Sequence, residues 1–338
     1  MNDASPHVPP SRRALARAVR SFAALAFATL VVVGGAATAQ EASPTDADLE
    51  RRVITIDGSG GTQSGNLRYG PLRYEHPDPY GVTATVSTLT ILGPVATLAG
   101  PEGEEVLLSR AKGRRTATFE GGVRVLRDRL EADGPGLVYD EATGLGVLRG
   151  GSVVTIAPEA EEDDVTTITA DAVEFDVDTD RSVNRGDVVL VTGEQRAESD
   201  ELRYDESTDL AGLVCLEAQC TITRAQEDGE LVITADDIRV LTQDERLWAR
   251  GNVRVVDGDL VTTGDEVVYD DGDKLAEVTG SPAVSVNEAD GVTLESDRIL
   301  QDVEFDFVEA IDASQASDVD LTAFLFDEER GEDAPQAP

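Results

Sequence analysis

Apolar and polar residues alternate through most of the chain. Val253 and Val255 flank Arg254, and Val267 and Tyr269 flank Val268. A spacing of two places each pair on one face of a strand. No window of comparable length carries an apolar stripe at helical spacing with caps, so the pattern predicts an all-β fold. The alternation also repeats. "EGGVRVLRDRLEADGPGLVYD", "RGDVVLVTGEQRAESDELRYD" and "RGNVRVVDGDLVTTGDEVVYD" align without gaps, 65 residues apart. Gly121, Gly186 and Gly251 coincide, as do Tyr139, Tyr204 and Tyr269. So regular a period means stacked supersecondary units.

Chain breakers fall inside the strands as well as between them. Gly-Asn, Gly-Asp, Ser-Asp, Ala-Asp and Gly-Ser-Pro interrupt the alternation at matched places. A glycine within a strand marks a kink or bulge. Each long strand should therefore bend once and continue. A stack of bent antiparallel strands makes two sheets meeting in a V, an elongated open trough with about four bent strands per copy. Successive half-units carry aspartate markers at Asp171, Asp200, Asp236, Asp265 and Asp297. Tyr74 lies 65 residues before Tyr139. It suggests a degenerate first copy over 53–115, interrupted by the "GSGGTQSGN" loop, before the regular copies of 116–311.

The first forty residues differ from the rest. Four arginines precede an uncharged stretch, Ser21–Gln40, that ends near Ala37-Thr38-Ala39. This order is that of a secretory signal peptide over 1–39, followed by a linker over 40–52. An uncleaved inner-membrane anchor is the alternative, since twenty uncharged residues can just span a bilayer. Either way the chain is expected in the periplasm or cell envelope. The net charge is −39, and Lys112 and Lys274 are the only lysines. Such a surface repels nucleic acid at long range, so no nucleic-acid partner is expected. The acidic tail, 312–338, should be disordered from about 328. Cys215 and Cys220 are the only cysteines. Export and their spacing suggest a disulfide across the break between two strands, with two buried thiols as the alternative.

Candidate chemistry is sparse. His76 sits in "EHPDPYG", a loop without a nucleophile motif beside it. The alternating carboxylates of Asp176–Asp180 resemble a calcium loop. However, Arg181 and Asp187 stand where a calcium-binding hand needs Gly and Glu. They read better as turn caps, and Glu161–Asp164 as solvated loop charge. No catalytic set, metal site or cofactor is expected.

"GNVRV…GDLVTTGDEVVYD" is similar to the OstA/LptA-like repeat of lipopolysaccharide transport proteins, sharpest over "ARGNVRVVDGDLVTTGDEVVYD". That resemblance implies a twisted β-jellyroll, open along one side, whose trough holds lipid acyl chains. It implies a non-enzymatic bridge between an inner-membrane transport complex and an outer-membrane translocon, with end-to-end association of copies by strand pairing. The cargo would be lipopolysaccharide or another envelope lipid. Candidate lining residues are Val123, Val125, Leu137 and Tyr139 in the first copy. Val188, Leu190, Leu202 and Tyr204 match them in the second, and Val253, Val255, Val267 and Tyr269 in the third. Core packing alone would bury the same residues. The rival reading is accordingly a structural β-solenoid or surface protein with a closed core and no lipid.

Overall fold

The computed structural model describes residues 46–160, 164–216, 218–226, 229–305, 307–311 and 320–330. The expected signal segment, its cleavage site, the start of the linker, Glu161–Asp163 and the rest of the tail lie outside the described residues.

The described strands form one antiparallel sheet. Six short strands come first: β1 (Thr55–Asp57), β2 (Thr62–Gly65), β3 (Leu72–Glu75), β4 (Val82–Val86), β5 (Leu89–Gly93) and β6 (Val95–Ala99). The first regular copy is β7 (Thr116–Arg127), β8 (Leu130–Asp140), β9 (Leu145–Ile156) and β10 (Thr166–Asp176). The second is β11 (Arg181–Thr192), β12 (Gln195–Asp205), β13 (Leu210–Val214), β14 (Cys220–Gln226), β15 (Gly229–Ala235) and β16 (Asp237–Leu241). The third is β17 (Arg246–Asp257), β18 (Leu260–Asp270), β19 (Leu275–Asn287) and β20 (Thr293–Asp302), and β21 (Phe307–Ala310) closes the order.

Each long strand shifts register at its middle, so its two halves belong to different walls. In β7, Thr116–Glu120 pairs with β6 and Val123–Arg127 lies along β5 and the start of β8. Wall A holds the half typified by Thr116–Glu120, and wall B the half typified by Val123–Arg127. β13 and β14 are the two halves of one such strand, as are β15 and β16: β13 and β16 pair in wall A, β14 and β15 in wall B. The short strands follow the same rule. β2, β3 and β6 extend wall A, while β1, β4 and β5 extend wall B. The stretch read as an interrupting loop is therefore itself a bent strand, with residues 58–61 as its bend and Thr62–Gly65 as β2.

The bends have a local cause. In β17, Gly251 and Asn252 both have positive φ, at 79° and 49°, and in β11 Gly186 and Asp187 sit at 81° and 43°. Two successive left-handed residues turn the strand from one wall to the other, and Asn and Asp tolerate that region better than most side chains. The first position also needs glycine for space. A Cβ on Gly251 would stand 2.7 Å from Asp236 Oδ2, and one on Gly186 2.6 Å from Asp171 Oδ2. The aspartate markers thus line the ridge where the walls join. Asn252 Nδ2 donates to Asp236 Oδ2 at 2.7 Å, and the Leu216 N–H donates to Asp200 Oδ2 at 2.7 Å. Cys215 and Cys220 are disulfide-bonded across this ridge, between β13 and β14.

Two segments depart from the sequence reading. Asp46–Arg51 of the linker is a short helix, α1. In the tail, Leu321–Phe324 is a 3-10 turn and Asp327–Arg330 a helix, α2, so order extends past the expected limit at 328. The physical reason is apolar. Phe324 and Phe326 pack on the outer face of wall A against Leu210, Leu241 and Trp248, in a cluster separate from the main core. Arg239 fastens this strap, donating to Phe324 O at 2.8 Å and Glu329 Oε1 at 2.8 Å.

Candidate functional site: an apolar interior and its seam

The twelve candidate lining residues divide between the walls. Val123, Val125, Val188, Leu190, Val253 and Val255 stand in wall B, and Leu137, Tyr139, Leu202, Tyr204, Val267 and Tyr269 in wall A. Each is at most 2% exposed, and all belong to one continuous core. Arg254 is exposed on the opposite face, as the alternation requires, and Val268 packs against the strap cluster. The walls' own side chains fill the interior between them. The middle copy is more polar than its neighbours. Ser182 and Asn184, both buried, occupy the positions of Ala117 and Phe119 in the first copy and Leu247 and Ala249 in the third.

Opposite the ridge, the turns of the two walls form facing rims, tied by side chains. Arg127, at the wall B rim, has a side chain only 2% exposed. Its Nε donates to Glu206 Oε2 at 2.9 Å in the turn after β12, at the wall A rim. Its other nitrogens reach the carbonyls of Asp176, at 2.8 Å, and Arg181, at 3.2 Å. Arg129 Nη2 meets both Asp209 oxygens at 2.8 Å. Arg224 of wall B ion-pairs with Asp271 of wall A, which also meets Lys274 Nζ at 3.2 Å. Gln226 to Val303 O and Glu159 N–H to Gln243 complete this part of the seam, each at 3.2 Å. Near the N-terminus Arg51 of α1 reaches both rims, at Ser87 and at Val177 O.

The seam is written into the repeat. Glu141, Glu206 and Asp271 are 65 residues apart, each two positions after a repeated tyrosine. Each is buried or nearly so and holds an arginine: Arg115, Arg127 and Arg224. In the first case the pair clasps the chain entering wall B, with Ile54 N–H donating to Glu141 and Arg115 donating to Ile54 O. The tyrosine rings sit in the core and their hydroxyls reach the rim. Tyr139 donates to Arg52 O at 2.7 Å, Tyr204 to Asp209 Oδ1 at 2.5 Å, and Tyr269 to Asp271. Burial, and for Tyr204 and Tyr269 the carboxylate each bonds, pushes all three phenols up, so they stay protonated donors. Burial also pushes the Glu206 carboxyl above its ordinary range, against the pull of Arg127.

The other candidates have structural partners. His76 Nδ1 accepts the Asp78 N–H at 3.0 Å. Asp176 caps the turn after β10, accepting from the Asp178 N–H at 2.8 Å and from the Thr179 hydroxyl at 2.9 Å. Arg127, Arg129 and Arg224 were not among the sequence candidates. A signal for two of them exists. Thr192 and Asp257 occupy the Arg127 position in the later copies, and Glu194 and Asp259 the Arg129 position. Cations replacing neutral and acidic residues at a repeat turn mark a departure from the common plan.

Residues 167–307 match the model of the family described as LptA/(LptD N-terminal domain) LPS transport protein. Among solved structures, the chain is similar to LptH from Pseudomonas aeruginosa, described as the LptA homologous periplasmic component of the conserved lipopolysaccharide transport device. That similarity has 18% identity and a TM-score of 0.32, covering 34% of this chain and 82% of that one. No curated protein matches. The OstA/LptA-like resemblance read from the repeats thus coincides with a match to that family's model over residues 167–307.

Proposed function

We propose that this protein is a non-enzymatic lipid-binding bridge of the cell envelope, related to lipopolysaccharide transport, that holds acyl chains between its two walls. The observation that carries the reading is the continuous apolar interior, whose walls are joined by backbone at the ridge and, among the described residues, through side-chain contacts at the opposite rims. Such a body can part along one side without breaking its strand pairing. Each methylene moved from water into the interior contributes about 0.8 kcal/mol, so a lipid crossing an aqueous space gains from an uninterrupted path. Within this reading 1–39 is an export segment or anchor, 40–52 a linker, 53–115 a degenerate copy and 116–311 the carrier. The partners are an inner-membrane transport complex, an outer-membrane translocon and further copies paired end to end. The cargo is lipopolysaccharide or another envelope lipid.

One observation favours the rival reading of a closed structural protein: the twelve lining residues are already buried against one another. Photo-crosslinking decides between them. A photoreactive residue at Val255 should capture envelope lipid, identified by mass spectrometry, and one at Arg254 should not. Absence of lipid adducts from every inward position, in protein isolated from the envelope, would establish the closed reading instead.

A further inference from the structure

We propose that the rim seam is the entry route for an anionic amphiphile, and that Arg129 and Arg224 bind its acidic headgroup by exchanging Asp209 and Asp271 for it. The inference rests on the lipid-carrier reading and names the ligand chemistry of that same interior. A chain of net charge −39 repels an anionic headgroup at a distance. Any attraction must therefore come from cations placed where the headgroup ends up. Arg129 and Arg224 stand at the seam, above the apolar interior.

Both lie over crevices whose walls come from the two sides. Ile222, Leu231 and Ile233 of wall B and Leu247 and Tyr269 of wall A line the one beneath Arg224. Leu130 and Ile156 of wall B and Tyr204 of wall A line the one beside Arg129. An alkyl chain entering either crevice leaves its polar end at the guanidinium. Parting the rims breaks Arg129–Asp209 and Arg224–Asp271. Each guanidinium then keeps only an exposed carboxylate of its own wall, Glu159 at 3.9 Å from Arg129 and Glu194 at 3.1 Å from Arg224, and losing the buried counter-charge destabilises it. A phosphate or similar acid restores a charge-assisted, forked hydrogen bond at the same place. Opening and loading are thereby coupled: an anionic amphiphile stabilises the parted state more than a neutral one of equal chain length. Tyr204 and Tyr269 hold the displaced carboxylates on wall A, so the latch re-forms when the ligand leaves.

The test is binding of dodecyl phosphate and of dodecyl maltoside to the chain below their micellar concentrations, by calorimetry, with inorganic phosphate as a third arm. The parent should prefer the alkyl phosphate by about tenfold or more, a preference that weakens with salt. Arg129→Gln with Arg224→Gln should erase the preference. Asp209→Asn with Asp271→Asn should raise it, because the arginines lose their competitors while the amide oxygens still accept from the two tyrosines. These opposite signs separate ligand binding from a structural latch, whose loss would act alike in both variants. If the arginine pair fails to fold, the asparagine pair and the salt dependence decide alone. Exposed Arg254→Gln is the control and should leave the preference unchanged. Equal affinity for phosphate and maltoside, a fall in preference in the asparagine variant, or inorganic phosphate competing as well as the alkyl phosphate would each overturn the proposal while the carrier reading stood. Failure of the parent to bind either amphiphile would overturn the carrier reading itself, and this proposal with it.

Discussion

Gly251 shows how much of the fold rests on single positions. Its positive φ costs an L-residue about 1–2 kcal/mol, and its missing Cβ leaves room for the Asp236 carboxylate. Gly251→Ala should lower stability by about 2 kcal/mol or more, measured by denaturant unfolding. Adding Asp236→Ala should recover the steric part and leave the dihedral part, apart from the lost Asn252 hydrogen bond. A fully additive pair would show that the close approach is not what requires glycine. Tyr269 makes a second residue-scale case. Its ring was read from the sequence as lining, because alternation reports which face a residue shares. The hydroxyl's bond to Asp271 lies outside that pattern, since alternation says nothing of where the side chain's far end reaches. Tyr269→Phe keeps the ring buried and should cost about 1 kcal/mol. It should also raise hydrogen exchange in the turn after β18, where Asp271 loses its post.

At the scale of elements, the regular strands were legible and the strap was not. Period two, repeated glycines and a 65-residue step located β7 to β20, because every copy restates the same constraints. The bent pairs β1–β2, β3–β4 and β5–β6 carry few of those marks, so only Tyr74 pointed to them. The strap occurs once. Its "LTAFLF" run, Leu321–Phe326, lies in an acidic tail, and the acidity outweighed the apolar signal. Packing reverses that weighting, with Phe324 fully buried against Trp248 at a ring separation of 6.1 Å. Phe324→Ala should release the strap, red-shift Trp248 emission and expose Asp327–Arg330 to protease. The rest of the fold should stay intact, because the main core is separate. Acid should do the same. The Arg239 hydrogen bond holds the Glu329 carboxyl below its ordinary range. A depressed folded-state value means stabilisation that is present above the unfolded value of about 4.3 and lost as pH falls through the folded one. Trp248 emission should therefore shift on acidification below about pH 4, and Glu329→Gln should weaken that dependence. Emission unchanged across this range would show that the ion pair does not hold the strap.

For the whole molecule, the two-walled plan followed from breakers inside strands, whereas closure of the rims did not. Arg127 and Glu206 are 79 positions apart, in different copies. The twist of the stack, which a linear pattern does not encode, sets which turn faces which across the seam. The apolar lining was thus readable as a set of faces, and the latch that shuts it only from the folded chain. On the proposed carrier reading, function turns on whether that latch yields. The chain runs over the ridge and the strand pairing lies within each wall, so parting the rims costs side-chain bonds and exposed apolar surface but no backbone ladder among the described residues. A ligand moves this equilibrium only by binding the parted state better, and an alkyl phosphate does so at both ends. Spin labels at the exposed rim positions Glu159 and Asp244 report the opening, since the Glu159 N–H bonds the neighbouring Gln243 across the seam. Their separation should be short and narrowly distributed in the unliganded chain. Saturating dodecyl phosphate should lengthen it by several ångströms, about the thickness of one alkyl chain between facing side chains. Arg129→Gln with Arg224→Gln should broaden the unliganded distribution, because the latch is gone before any ligand arrives. A separation unmoved by bound amphiphile would mean that chains enter by an end of the stack, and that the seam is a fixed closure.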